Sequence, residues 1–261
     1  MQRWSLLISL LLLLGSSCQL ARPEDPIIIP LVDTEFNLDL WENLTPDGRQ
    51  LVVRISTIDD EPCENTTIST EQRQADRLIE LTIKDIQEPE TCDPGPAPAL
   101  GEEILTGASA GVYNLMVELQ DVVTNAGSLT VASSYYAVVM ESENGVTWAH
   151  NELRRVPLDA VWGYIHYDST DQDAYADELL STFEGQSQTI PRTDGYYGYF
   201  TLDNGGTKLT LPGMPETGIV RSFLYRLPND PDGMTTLLDD WRSQAPTAMT
   251  VTVFDSYGRS W

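Results

Sequence analysis

Histidine and cysteine are scarce in this chain, with two and three copies among 261 residues. No C-x-x-C pair occurs and no histidine lies near a cysteine, so neither zinc-ribbon nor thioredoxin-like chemistry has its ligands. Positive charge is equally thin. Lys and Arg total 15 against 40 Asp and Glu, a formal net charge of -25. A surface this negative repels phosphate backbones and anionic headgroups, which excludes nucleic acid as a partner. It tolerates basic proteins, divalent cations or neutral glycans, and a net charge this far from zero favours solubility. The apolar run at 6–14 is too short to span a bilayer. No internal repeat is visible, and no residue set implies a cofactor.

What is present begins with the leader. Arg3 supplies positive charge, the apolar run follows, and Gly15-Ser16-Ser17-Cys18 closes it with small residues. This is the layout of an export signal. The stretch resembles the type II signal peptide of bacterial lipoproteins, in which the cysteine after the small residues receives diacylglycerol and becomes the new N-terminus. The third position before the cysteine departs from that pattern, being Gly15 where Leu is usual. The resemblance covers the leader alone. It implies a signal peptide at 1–17, lipid attachment at Cys18, a tether at 18–26, and a place in the bacterial cell envelope, anchored to the membrane through lipid. An ordinary secretory cut near Ser17 or Ala21, giving a secreted soluble protein, is the alternative. Loss of Arg3 with the leader takes the net charge from -25 to -26.

With Cys18 acylated or removed, Cys63 and Cys92 remain as an even pair. Export carries them to an oxidising compartment, so a disulfide is expected. Closing that loop stabilises the fold by roughly 3–4 kcal/mol in the chain-entropy model.

The element pattern predicts a mostly β, α+β protein in two parts. Over 27–153 nearly everything reads as strand and turn: Phe36, Leu38 and Leu40 alternate with Asn37, Asp39 and Trp41, Pro46-Asp47-Gly48 supplies a turn, and further strands fall near 51–55, 78–83, 113–119 and 129–140. Short strands at this spacing predict a β-sandwich. The stretch from Leu78 through Cys92 to Gly111-Val112-Tyr113 resembles the small Ig-like modules of secreted bacterial proteins, with an alternating strand before a cysteine and a G-x-Y strand after it.

Over 154–261 the rhythm changes. A strand at 160–167 precedes a helix capped at Thr170, with Tyr175, Leu179 and Phe183 on one face and Gly185 ending it. Strands at 196–202, 208–211 and 219–225 lead to a second amphipathic helix carrying Met234, Leu237, Leu238 and Trp241, stopped by Pro246, and Met249, Val251 and Val253 mark a last strand. This order predicts a ferredoxin-like, split βαβ domain.

Chemistry is harder to find. Gly107-Ala108-Ser109-Ala110-Gly111 satisfies the G-x-S-x-G pattern, but a nucleophile elbow needs a helix after the serine, and Tyr113, Leu115, Val117 and Leu119 alternate as a strand. A Gly/Ser turn is the expectation. His166 and Asp168 share a strand face but have no third ligand to form a metal site. Asp168, Asp171, Asp173, Asp177 and Glu178 lack EF-hand spacing and suit the first turn of a helix. No catalytic set is assigned. One constellation remains: alternation puts Val161, Ile165 and Tyr167 under the helices and Trp162 and Tyr164 on the opposite face, with Tyr197 and Tyr199 beside them if the strand at 196–202 is a neighbour. Those four aromatics make either a ligand surface or an interdomain contact. The function expected is a non-catalytic binding, adaptor or structural module of the envelope, contacting an envelope protein or glycan. The alternative is an exported hydrolase with a carboxylate-based site.

Overall fold

The computed structural model describes residues 33–120 and 122–261. The leader at 1–17, Cys18 and the tether at 18–26 lie outside the described residues. The chain is mostly β. Strands β1 (Phe36–Thr45), β2 (Gly48–Cys63), β3 (Thr67–Ala75), β4 (Leu78–Gln87) and β5 (Pro94–Ile104) are followed by β6 (Gly111–Leu119), β7 (Val123–Val131), β8 (Tyr135–Met140), β9 (Val146–Trp148) and β10 (Glu152–Arg154). All ten join one sheet in the order β10-β8-β7-β6-β4-β3-β5-β2-β1-β9. Most neighbours are antiparallel, while β1 with β9, β3 with β5 and β4 with β6 run parallel.

The alternation read in the sequence places the core. Phe36, Leu38 and Leu40 of β1 point inward with Val53 and Ile55 of β2, and every strand from β1 to β10 contributes to the same apolar cluster. One cluster can collect side chains from ten strands only if the sheet curls around it, as strongly twisted sheets of this width do. Each large side chain so buried contributes about 1.5–3 kcal/mol. The β1–β2 connection is a two-residue hairpin over Pro46-Asp47, with Thr45 paired to Gly48. Cys63, at the end of β2, is bonded to Cys92 in the loop before β5, with Cα atoms 5.3 Å apart. The bridge ties the far end of β2 to the β4–β5 connection.

The rest of the chain builds β11 (Ala160–Tyr167), α1 (Asp173–Gln186), β12 (Gly195–Tyr196), β13 (Thr201–Asp203), β14 (Lys208–Thr210), β15 (Ile219–Arg226), α2 (Pro231–Gln244) and β16 (Thr250–Asp255). Strands β15, β11 and β16 form an antiparallel sheet with β11 central. Val161, Ile165 and Tyr167 pack with Leu179, Phe183, Leu238 and Trp241, so both helices cover one face. The α1 entry differs in detail from the reading above: the capping side chain is Ser169, which accepts from the Asp171 N–H and starts a short 3₁₀ turn before the helix. Asp230 caps α2 by accepting from the Gly233 N–H at 3.0 Å, and Pro231 stands at its first turn, where a missing N–H costs nothing.

The stretch at 196–202 is not one strand. β12 ends at Tyr196, a tight turn follows in which the Tyr197 N–H donates to the Phe200 carbonyl at 2.9 Å, and β13 starts at Thr201. Gly198 takes φ +80°, a conformation open to glycine and strained for most residues. The turn cancels period-2 alternation, so Tyr197 and Phe200 lie on one side and stack with ring centroids 4.7 Å apart.

Candidate functional site

The period-2 pattern of β1 does not stop at Leu40. It continues through Glu42 to Leu44, which sends the Glu42 carboxylate to the buried face, where the residue is fully enclosed. A buried carboxylate is tolerated only when paired and hydrogen-bonded. Four donors meet it. The Tyr136 hydroxyl and Arg155 Nε donate to Oε1 at 3.0 and 2.9 Å, and Arg49 Nη1 and the Val156 N–H donate to Oε2 at 3.3 Å each. Burial first, and then the Glu42 charge, push the Tyr136 hydroxyl far above its ordinary pKa, so it stays a donor. The Arg155 guanidinium also lies over the Tyr136 ring, 5.1 Å from its centroid. Its backbone N–H donates to the Ser134 carbonyl at 3.0 Å, and Arg49 Nη1 also donates to the Val156 carbonyl. The two guanidinium groups are thereby held in place from several directions.

Two adjoining clefts open beside them, at the end of the sheet where the β1–β2, β7–β8 and β5–β6 connections gather. One, of about 390 Å³, is walled by Arg154, Ser134, Pro157, Thr193 and Tyr197. The other, of about 750 Å³, is walled by Leu51, Thr106, Ser109, Val131 and Tyr136. Arg49, Ser133 and Arg155 line both. Cavities of this size suit a small ligand.

A second cluster lies on the outward face of β1. The Tyr196 hydroxyl donates to Asp39 Oδ2 at 2.9 Å, His150 Nδ1 is 3.2 Å from Asp39 Oδ1, and the His150 and Tyr196 rings stack at 3.6 Å. Burial raises the Asp39 pKa, opposed by the Tyr196 hydrogen bond and the nearby His150. Next to it, Arg54 sits 3.6 Å above the Trp41 ring, and Trp41 packs on Tyr199 at 4.5 Å. These contacts fasten β12 and its turn to β1. None of their members lines either cleft.

The four aromatics read from the sequence do come together, but not as an open face. Trp162 and Tyr197 are buried, at 1 % and 4 % exposure, and Tyr164 and Tyr199 are half-buried. Trp162 meets Phe200 and Tyr199 at 5.2 and 5.7 Å, and the cluster takes in Leu44 of β1, Val156 and Leu202. A face covered in this way presents no four-ring platform, and of the four only Tyr197 reaches a cleft, as a wall of the smaller one. Ser109 lines the larger cleft, its Oγ 3.3 Å from the Tyr113 hydroxyl, and β6 starts two residues later, so a strand follows it and no helix. His166 Nε2 lies 3.0 Å from the Thr217 carbonyl and Asp168 stands 4.0 Å away. Among the described residues no group of three His, Cys, Asp or Glu is arranged to hold a metal. No helix of the described residues is long and apolar enough to cross a membrane.

Sequence reasoning missed Glu42, Arg49, Tyr136 and Arg155. The signal was present for one of them: a glutamate two residues beyond Phe36, Leu38 and Leu40 in unbroken alternation is a carboxylate aimed at a core. No family model, curated protein or solved structure matches the chain.

Proposed function

We propose that this chain is an exported protein, anchored in the envelope through lipid on Cys18, and that it acts as a non-catalytic binding module whose ligand enters the two clefts beside Glu42. The observation that carries the reading is the support under those clefts. Glu42, fully buried, holds Arg49 and Arg155 at the place where the clefts meet. Side chains fixed in advance lose little freedom when a ligand arrives, which is how binding sites gain affinity from few contacts. The leader motif and the Cys63–Cys92 bridge support the export reading.

At the finer level of fold, we read β1–β10 as an Ig-like β-sandwich closed over one core and 154–261 as ferredoxin-like. Antiparallel hairpins with alternating buried residues support the first. The order β16-β11-β15, with a helix after β11 and another after β15, supports the second.

Two experiments test the function. Mass spectrometry of the protein made in a lipoprotein-processing host should find diacylglycerol on an N-terminal Cys18, and an unlipidated chain starting near Ala21 would end the anchoring proposal. A thermal-shift panel of neutral sugars, acidic sugars, amino acids and dipeptides should contain a class that raises Tm in the native chain and not in Ser133→Trp, which puts an indole at the exposed loop position shared by both clefts. If no class does so, the binding reading fails.

A further inference from the structure

The charge of these clefts is opposite to that of the protein around them. The chain has 40 Asp and Glu, yet none of them lines either cleft, while three of its 15 basic residues, Arg49, Arg154 and Arg155, do. The contrast with the groove between α1 and α2 is direct. That groove is walled by Glu178, Asp230 and Asp240 and by no Lys or Arg.

The excess is one charge. Glu42 balances one of Arg49 and Arg155, and Glu152, with Oε1 2.8 Å from Arg154 Nε, balances Arg154. Arg49 also leaves Nη2 buried with no partner among the described residues. That nitrogen is closed to the clefts, and the guanidinium surface open to an incoming oxygen is the part-exposed remainder of Arg49 and Arg155. The rest of the wall is hydroxyl and apolar: Ser133, Ser134, Thr193, Thr106 and Ser109 offer O–H groups, and Pro157 offers a flat apolar surface. From these features, and resting on the binding-module reading above, we propose that the clefts bind a sugar acid carrying a single carboxylate, of the uronic acid type. The carboxylate faces Arg49 and Arg155, and the ring hydroxyls face the serines and threonines.

Each feature of the ligand follows from a feature of the wall. A guanidinium reads a planar carboxylate through paired N–H donors. One excess positive charge matches one carboxylate, whereas a polyphosphate or nucleic acid would bring charges that the surrounding negative field repels. Hydroxyls lining the walls match a hydroxyl-rich ring better than an apolar acyl chain, whose burial would leave those groups unpaired. The volumes hold one or two sugar rings.

The test is ligand-observed NMR with calorimetry on the full-length chain at low ionic strength, using glucuronic acid, its methyl ester, glucose and the dipeptide Ala-Ala. Glucuronic acid should bind with Kd on the order of 1 mM or tighter. The methyl ester and glucose, which lack the charge, should bind at least about 10-fold more weakly, and Ser133→Trp should lose about 10-fold with the Glu42 network untouched. Added salt should weaken binding of the acid and not of glucose. Equal binding of acid and ester would overturn the proposal, as would no binding of the acid. Ala-Ala binding as tightly as glucuronic acid would also overturn it and identify a peptide-terminus site. If glucuronic acid fails while another class in the thermal-shift panel depends on an open cleft at Ser133, the sugar-acid assignment falls and the binding-module reading stands. If both fail, the clefts are not a ligand site.

Discussion

The Tyr136 hydroxyl donates a hydrogen bond of 3.0 Å to Glu42 Oε1 across 94 residues of sequence. That contact joins β8 to β1 through the interior end of the sheet, next to Arg155 and Val156, which follow β10. The same carboxylate therefore connects β1, near one end of the sheet order, to β8 and the segment after β10 at the other end, and its two arginine partners line the clefts. Stability and binding geometry meet at one side chain.

Removing the charge while keeping the volume measures that connection. Glu42→Gln should lower the urea midpoint by the equivalent of about 3 kcal/mol, because it leaves two guanidinium groups without their buried counter-charge. Glu102→Gln, which removes the exposed partner of Arg54, should leave the midpoint unchanged. Equal midpoints for Glu42→Gln and the native chain would mean that the network positions Arg49 and Arg155 without stabilising the fold.

Much of the architecture could be read from local patterns, and what could not depends on contacts distant in sequence. The alternation of Phe36, Leu38 and Leu40, the strand at 160–167, the apolar faces of α1 and α2 and the Cys63–Cys92 pair were legible because period, caps and cysteine count are local. Tyr197 and Tyr199 misled because Gly198 turns the chain between them, and Tyr-Tyr-Gly-Tyr-Phe scores as a strand on propensity alone. The way ten strands close over one core is set by non-local pairing, including three parallel contacts that no turn motif announces. The clefts were invisible for the same reason: Arg49, Ser133 and Arg155 are brought together by the sheet and by nothing in their own neighbourhoods.

The disulfide offers a separate check on stability. Cys63→Ser with Cys92→Ser should cost roughly 3–4 kcal/mol by release of the 29-residue loop, a fall in Tm of roughly 10 °C for a chain of this size. Differential scanning calorimetry of the double variant checks the size, and peptide mapping without reductant checks the linkage. An unchanged Tm would mean that the β2–β5 pairing already holds that loop closed.

Asp39 predicts a pH signature. Its folded pKa is raised, chiefly by burial and against the pull of Tyr196 and His150, so the folded state holds the Asp39 proton more tightly than the unfolded chain does. A group of that kind contributes stability that is fully present below its unfolded pKa, near 3.9, and that is lost as pH rises through the folded value. Asp39→Asn keeps an acceptor for the Tyr196 hydroxyl and removes the ionisation. The variant should therefore gain in urea midpoint relative to the native chain as pH increases above about 4. A gap between the two proteins that stays constant or narrows over that range would show that the hydrogen bond from Tyr196 outweighs the burial.

Trp162 separates a core role from a surface role. Its ring is enclosed by Phe200, Tyr199 and Phe254, so Trp162→Ala should cost about 3–5 kcal/mol as a large-to-small core substitution. The indole N–H complicates the comparison, because it is buried with no acceptor among the described residues. Trp162→Phe removes that orphan donor, which offsets part of the lost packing. It should cost about 1–3 kcal/mol through the smaller cavity it leaves, below the alanine variant. Urea denaturation of the two variants gives both numbers, and sugar-acid binding should persist in Trp162→Phe because the ring lines neither cleft. If Trp162→Phe folds normally and loses the ligand, the site lies at Trp162 itself and not in the arginine-lined clefts, to whose walls the cluster contributes Tyr197.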